Sequence, residues 1–263
     1  MADGATLPAL RLDSLSLGFG GQPVLERVSL AIPPGAIAAI VGPSGVGKTS
    51  LLRACNRLLE LEPTARIRGR VELFGEDIYA PDHDPVELRR RVGMVYERPA
   101  LFDQSLFANL AYGLRRQGYR GDLEARVEWS LHQVGLWESL RDHLQKPVDR
   151  LDEGVRQRLC IARAIATDPE LLLLDNPCAS LDEPSTLALE ELLFRLQSQL
   201  TILLVTQDLK QAARCSDLTI FLDRVYDEQG RAYGTLAEMG PTATLFQQPR
   251  QPGTLSFLNG TRG

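Results

Sequence analysis

The stretch GPSGVGKTS, from Gly42 to Ser50, limits this chain more than any other, because few backbones accept its spacing. Gly42, Gly45 and Gly47 free the backbone to turn successive N–H groups inward on an anion. Lys48 adds a positive charge, Thr49 a hydroxyl suited to Mg2+, and the next helix would aim its N-terminal dipole at the same point. Pro43, Ser44, Val46 and Ser50 complete the loop. The flanks agree. A continuous apolar run, Ala36 to Val41, precedes the loop and predicts a strand buried on both faces. After it, Leu51, Ala54, Cys55, Leu58 and Leu59 recur at helical spacing, and Pro63 lies just beyond the end of that helix. This is a site for the phosphates of a nucleoside triphosphate.

A second apolar strand, LLLLD, ends at Asp175. A strand that delivers a carboxylate at its C-terminal end suits Mg2+ held beside the triphosphate, so Thr49 and Asp175 are the expected metal residues. Residues 10–32 predict hairpin-rich β structure and 66–79 more of it. Residues from about 102 to 166 are mostly helical, with Leu123, Val127, Leu131 and Val134 on one face. Strands at 171–175 and 201–206 flank a helix over 185–198. The stretch from about 218 to 263 reads as β-rich and then Gly- and Pro-rich. Strands alternating with helices predict a mainly parallel α/β sheet.

The 263 residues suffice for one large domain, and 1–263 is read as one. A net charge of −5 gives no basic surplus for nucleic acid. No apolar run approaches the ~20 residues of a membrane helix, and MADGATLPALRLD lacks the basic start and apolar stretch of a signal peptide. The expectation is a cytosolic chain that meets a membrane only through a partner. Cys55, Cys160, Cys178 and Cys215 have no metal spacing and read as reduced core residues. His83, His132 and His143 form no metal pattern; His83, in PDHDP, reads as a solvated turn. Trp129 and Trp137 read as core.

The order of motifs resembles a known family. The phosphate loop at 42–49 is followed by RRRVGMVYERP at 89–99, LDEGVRQRLCIARAIA at 151–166, LLLLDNPCASLD at 171–182 and VTQDL at 205–209. That order is similar to the ATP-binding subunits of ABC transporters over nearly the whole chain. GEDIYAPDHDPVELRRRVGMV, QRLCIARAIA, QAARCSD and the ending FLNGTRG look like the subunit of the bacterial phosphate importer. The resemblance implies an α/β P-loop NTPase of the ABC ATPase type: a RecA-like core, an antiparallel β subdomain and a helical subdomain at about 98–166. It implies ATP and Mg2+ as cofactors and Phe19 stacked on adenine, where the family usually has Tyr. Residues Glu97 to Asn109 would line a groove for a membrane subunit. The segment from Leu151 would face the ATP held by the opposing chain of a head-to-tail dimer, and Asp182 would lie at that dimer contact. The implied partners are two permease subunits and a phosphate-binding protein, with the chain peripheral on the cytoplasmic face of the inner membrane.

Four positions depart from the family pattern. Asn176 stands where the family has the water-polarising Glu, and Gln207 where it has a histidine that touches the γ-phosphate. Glu97 replaces the glutamine that helps hold Mg2+ and water. The signature LSGGQ becomes LDEGV, with Asp152 and Glu153 ahead of the retained Gly154. An amide cannot accept the water proton. A carboxylate about 4 Å from a phosphate oxygen is repelled by roughly 4 kcal/mol at an effective dielectric near 20. The expected function is an ATP-binding subunit of an ABC importer, for inorganic phosphate, with impaired hydrolysis, paired with an intact ATP-binding chain or with itself. One rival is an active homodimeric ATPase with displaced catalytic groups; another is an ATP-binding regulator that drives no transport.

Overall fold

A computed structural model of the protein describes residues 7–148 and 151–260; part of the N-terminal segment and the last three residues of FLNGTRG lie outside them. Along the chain run β1 (Leu10–Phe19), β2 (Gln22–Ile32), β3 (Ile37–Val41), α1 (Lys48–Cys55), β4 (Ala65–Leu73) and β5 (Glu76–Asp77). Next come α2 (Pro85–Arg91), β6 (Val92–Val95), α3 (Leu106–Arg116), α4 (Leu123–Gln133), α5 (Trp137–Leu140) and α6 (Glu153–Ile165). The rest is β7 (Leu171–Asp175), α7 (Glu183–Gln197), β8 (Thr201–Val205), α8 (Leu209–Cys215), β9 (Leu218–Tyr226), β10 (Ala232–Pro241), α9 (Thr242–Gln247) and α10 (Pro252–Leu258).

The continuous apolar runs form strands whose side chains alternate between two cores. Leu171 and Leu173 of β7 and Leu203 and Val205 of β8 face one cluster, with Leu51 and Leu52 of α1. Leu172, Leu174, Ile202 and Leu204 face the other, with Leu159 and Ile161 of α6 and Leu192 of α7. No polar position interrupts such a strand because neither face meets water. Helices between successive strands keep β3, β8, β7 and β6 parallel.

The antiparallel part is not a separate sheet. All ten strands form one sheet in the order β5-β4-β1-β2-β10-β9-β3-β8-β7-β6. Its two halves meet where β10 pairs with β2, Gly234 opposite Leu25.

Three expectations need correction. The C-terminal stretch is β-rich only through Pro241; α9 and α10 follow, and Phe257 packs on Phe221 with ring centroids 5.0 Å apart. PDHDP is not merely a solvated turn: Asp84 caps α2, accepting from the Val86 N–H at 2.8 Å, with Pro85 in the first turn. His83 is half-buried there. The helix after the phosphate loop stops at Cys55, short of Leu58 and Leu59, which enter a 3-10 turn. Cys55, Cys160 and Cys215 are buried, Cys178 is half-buried, and all four are free thiols. Burial pushes the Cys55 thiol up to about 12.

Gly234 sits where β10 crosses behind the phosphate loop. A Cβ there would lie 2.2 Å from the Val46 carbonyl oxygen and 2.8 Å from Leu25, whereas at Gly240, in the same strand, it would meet nothing within 4 Å. Gly234→Ala is expected to destabilise the protein by about 1–3 kcal/mol through overpacking. Gly240→Ala should stay within about 0.5 kcal/mol. Denaturant midpoints of the two variants check this.

Candidate phosphate-binding site

Parallel strands put their carboxyl ends on one edge, and each delivers a residue there. β3 runs into the loop Gly42–Gly47, β7 ends in Asp175 with Asn176 directly after it, and Gln207 lies two residues beyond β8. Glu97 lies two residues beyond β6. Because β8 lies between β3 and β7, the loop and the Asp175 carboxylate converge from either side of it.

The loop is held tightly. Gly42 has φ 149°, and a Cβ there would sit 2.2 Å from the Leu222 carbonyl oxygen, so no side chain fits. Lys48 is 6% exposed, and its Nζ donates to the carbonyls of Gly42 at 2.7 Å and Pro43 at 2.9 Å. An ammonium has three protons, so one remains for an anion. Burial depresses its pKa; Asp175 pulls it back up, and Arg224 pushes it down. Arg224, on β9, also donates to the Ser44 carbonyl. Sequence reasoning missed Arg224, because 180 residues separate it from Ser44 and no local pattern links them.

The Thr49 hydroxyl donates to Asp175 Oδ1 at 3.0 Å. Asp175 is 8% exposed, and burial raises its pKa. The Thr49 hydrogen bond opposes that shift, and the negative charge of Glu97 adds to it. A hydroxyl and one carboxylate, both oxygen donors, suit Mg2+, which takes few protein ligands and completes its shell with phosphate and water. Among the described residues no group of three or more His, Cys, Asp or Glu is placed to hold a metal ion, as a site of that kind does not require one.

Glu97 and Asn176 meet directly: Asn176 Nδ2 donates to Glu97 Oε2 at 2.9 Å. Asn176 has φ +51°, in the left-handed region that Asn tolerates better than most residues. Gln207 is exposed. Phe19, half-buried at the end of β1, packs with Val24 against the cluster that holds Val46 and Leu25, so the β1–β2 hairpin lies beside the loop.

The two signature carboxylates are engaged within the chain. Asp152 caps α6, accepting from the Val155 N–H at 2.8 Å. Glu153 Oε1 accepts from Ser180 Oγ at 2.7 Å. Glu97, Arg98, Glu153, Arg156 and Ser180 border one cleft of about 440 Å³. Gly154 lies against Ser185, whose N–H caps back onto Asp182 at 3.0 Å. Gln157 ties α6 to the other side: its Nε2 donates to the Tyr96 carbonyl at 3.0 Å, one residue before Glu97. A larger cavity of about 1180 Å³, not lined by any residue of the phosphate loop, lies on the sheet beside Arg27, Arg66, Arg68 and Tyr233.

Two outcomes follow from this geometry. Asp152→Ala removes a helix cap and is expected to destabilise the protein by about 0.5–2 kcal/mol, while Asp152→Ser, which still caps, should lose far less; unfolding midpoints measure both. A raised Asp175 pKa means that the folded chain keeps a proton where the unfolded chain has released it. Stability therefore falls as pH rises from the unfolded value through the raised folded one. Asp175→Asn keeps an acceptor for Thr49 and removes this loss. The nucleotide-free variant should unfold at a higher temperature than the wild type at neutral pH, with the gap closing towards pH ~4.

Comparison with known proteins agrees with this architecture. Residues 25–179 match the family model described as ABC transporter. The phosphate import ATP-binding protein PstB 1 of Synechococcus sp. (strain JA-2-3B'a(2-13)) is 45% identical over 254 residues, covering 97% of this chain and 92% of that protein. PstB 2 of Aliivibrio fischeri is 42% identical over 257 residues, covering 97% and 91%. Among solved structures, cbiO1 from Clostridium perfringens, part of the ABC transporter complex cbiONQ, superimposes with a TM-score of 0.76 at 24% identity, covering 92% of this chain and 91% of that one. A bacterial Atm1-family ABC exporter with ATP bound gives 0.77 at 24% identity, covering 97% of this chain and 42% of that one. These two likenesses concern the fold alone. The chain belongs to the ABC transporter family, the same family as these phosphate import ATP-binding proteins.

Proposed function

We propose that this chain is the ATP-binding subunit of an ABC importer for inorganic phosphate, and that it couples Mg-ATP binding to transport while hydrolysing ATP slowly. The observation that carries the reading is the Thr49–Asp175 hydrogen bond at 3.0 Å, which joins the phosphate loop to the second apolar strand at the carboxyl edge. In this reading the backbone of Gly42 to Gly47 and the Lys48 ammonium hold the β- and γ-phosphates, and Phe19 stacks on the adenine. Thr49 and Asp175 hold Mg2+, which neutralises charge on the phosphates when bound. Names of relatives at 42–45% identity over nearly the whole chain support phosphate as the transported ion.

Slow turnover follows from chemistry at two positions. Asn176 offers an amide beside Asp175, and Gln207 offers a neutral amide beyond β8, where an imidazolium would carry charge to the γ-phosphate. The signature carboxylates add to this. Asp152 already occupies the N-terminus of α6 with a negative charge, so a phosphate of the opposing chain's nucleotide meets a helix end that is electrostatically satisfied. Pairing with an intact ATP-binding chain separates these defects between two composite sites, and self-pairing concentrates them.

No helix among the described residues is long and apolar enough to cross a membrane. In this reading the chain sits on the cytoplasmic face of the inner membrane through two permease subunits, which a phosphate-binding protein serves from outside. The segment Glu97 to Asn109 supports such a contact. Phe102 and Tyr112 are partly exposed, with ring centroids 4.6 Å apart, and Arg163 and Arg116 lie over their rings.

Titration with a fluorescent ATP analogue tests the nucleotide reading. Lys48→Ala should weaken Mg-dependent binding by roughly 10- to 150-fold, the loss of one charge-assisted contact of about 1.5–3 kcal/mol. Equal binding by both proteins would refute it. In proteoliposomes containing the permease and binding protein, phosphate uptake should require this chain and be lost with Lys48→Ala.

A further inference from the structure

The carboxyl edge of the parallel strands holds several groups that a triphosphate and its cation would occupy, and one that they would leave free. Lys48 is a donor, already turned on two loop carbonyls. Thr49 and Asp175 are bound to each other and form the oxygen pair suited to Mg2+. Asn176 and Gln207 are amides, whose nitrogens donate and whose oxygens are far too weak as bases to take a proton from water. The remaining side chain is Glu97. It is exposed, it is close enough for its charge to act on Asp175, and one of its oxygens is held. Asn176 Nδ2 donates to Oε2 at 2.9 Å, which fixes the carboxylate against the end of β7 and engages only one of its two oxygens.

The backbone supports the pairing from both sides. Asn176 is fixed by its N–H to the Val205 carbonyl at 2.9 Å and by its carbonyl, which accepts from Ala179 at 3.2 Å. Its left-handed φ of +51° is one that Asn adopts more readily than most residues. On the other side, Gln157 holds the Tyr96 carbonyl at 3.0 Å, so the residue before Glu97 is tied to α6. The general base expected at position 176 from the family resemblance, and the amide expected at 97, have exchanged places across one hydrogen bond.

We propose that Glu97 is the general base for hydrolysis of the γ-phosphoryl group in this chain, with Asn176 as its positioning residue. The proposal rests on the reading that the site binds Mg-ATP. In the step, the oxygen of a water bonds to the γ-phosphorus, and the water proton passes to Glu97 Oε1. The bond from the γ-phosphorus to the β,γ-bridging oxygen breaks, its electron pair leaving on ADP. The proton then passes from Glu97 to solvent, so ATP and water yield ADP, phosphate and a proton. Turnover remains slow because Gln207 brings no charge to the γ-phosphate and because the base sits on a loop rather than directly after the Mg2+ carboxylate.

The test uses the full chain with Mg-ATP, reading single-turnover release of labelled phosphate alongside affinity for a fluorescent ATP analogue. Glu97→Gln, an exposed isosteric change, should slow release by about 10²–10⁴-fold with affinity changed less than about 3-fold, the signature of a group that acts in the transition state. Asn176→Ala should slow it by about 10-fold, and Asn176→Asp, which places a second carboxylate against the first, should not rescue it. The exchange variant Glu97→Gln with Asn176→Glu should release phosphate at least about 10-fold faster than Glu97→Gln alone, because base and amide trade places across the same hydrogen bond. Glu97→Gln at the wild-type rate would overturn the proposal, as would an exchange variant no faster than the single one, or wild-type release no faster than spontaneous hydrolysis. A proportional fall in affinity and rate would assign Glu97 to binding and overturn it too. Failure of the ATP-binding reading shows separately, as binding of the analogue that Lys48→Ala leaves intact.

Discussion

Parallel pairing of β3, β8, β7 and β6 is the constraint on which the site depends. Parallel strands require crossover connections, and here these are helical segments packed on the sheet faces. Both faces of the strands are thereby buried, and every chemical group of the site is pushed to the carboxyl edge, where the backbone must turn and solvent is available. The phosphate loop, Asp175, Asn176, Gln207 and Glu97 all lie at that edge. The Thr49–Asp175 hydrogen bond spans the strand between β3 and β7 and shows how closely the pairing registers them.

Charge at that edge is balanced locally rather than by long-range fields. Lys48 and Asp175 are each less than a tenth exposed, and burial opposes the charge on both, while each partly restores the charge of the other. Lys48 Nζ is turned on the Gly42 and Pro43 carbonyls rather than on Asp175, so the attraction between the two charges offsets only part of the desolvation of each. The consequence is a buried cation at the phosphate loop and a buried anion close by, both at the carboxyl edge. Arg224 adds a second positive charge from β9 and fixes the Ser44 carbonyl at the same time.

The start of α6 shows how two adjacent carboxylates are accommodated. Asp152 and Glu153 would repel each other and any nearby anion, yet each is engaged within the chain. Asp152 turns back onto the Val155 N–H, the interaction that makes Asp a good helix cap, and Glu153 turns to Ser180. Local hydrogen-bonding capacity thus redirects both groups. α6 remains coupled to the opposite side of the cleft through Gln157 and the Tyr96 carbonyl.

Short-range patterns carried the phosphate loop, the two-sided strands, most helices and the family, because each depends on residues a few positions apart: the glycine spacing of 42–47, the run 171–175, the helical face of Val127 and Leu131. The sequence by itself therefore determined the glycine-rich loop, the family and which residue types stand at the carboxyl edge. It did not show that the antiparallel strands continue the parallel ones, since that depends on the pairing of β2 with β10, where Leu25 lies opposite Gly234 about 200 residues further along the chain. Nor did it show the terminal helices, which pack Phe257 on Phe221 in a stretch read only as β-rich and then Gly- and Pro-rich. Above all, only the tertiary structure decided where the charges point. Glu97 and Asn176 lie 79 residues apart and Arg224 and Ser44 180 apart. A side chain's direction is set by the partner that the fold brings to it, and no periodicity along the chain encodes that partner.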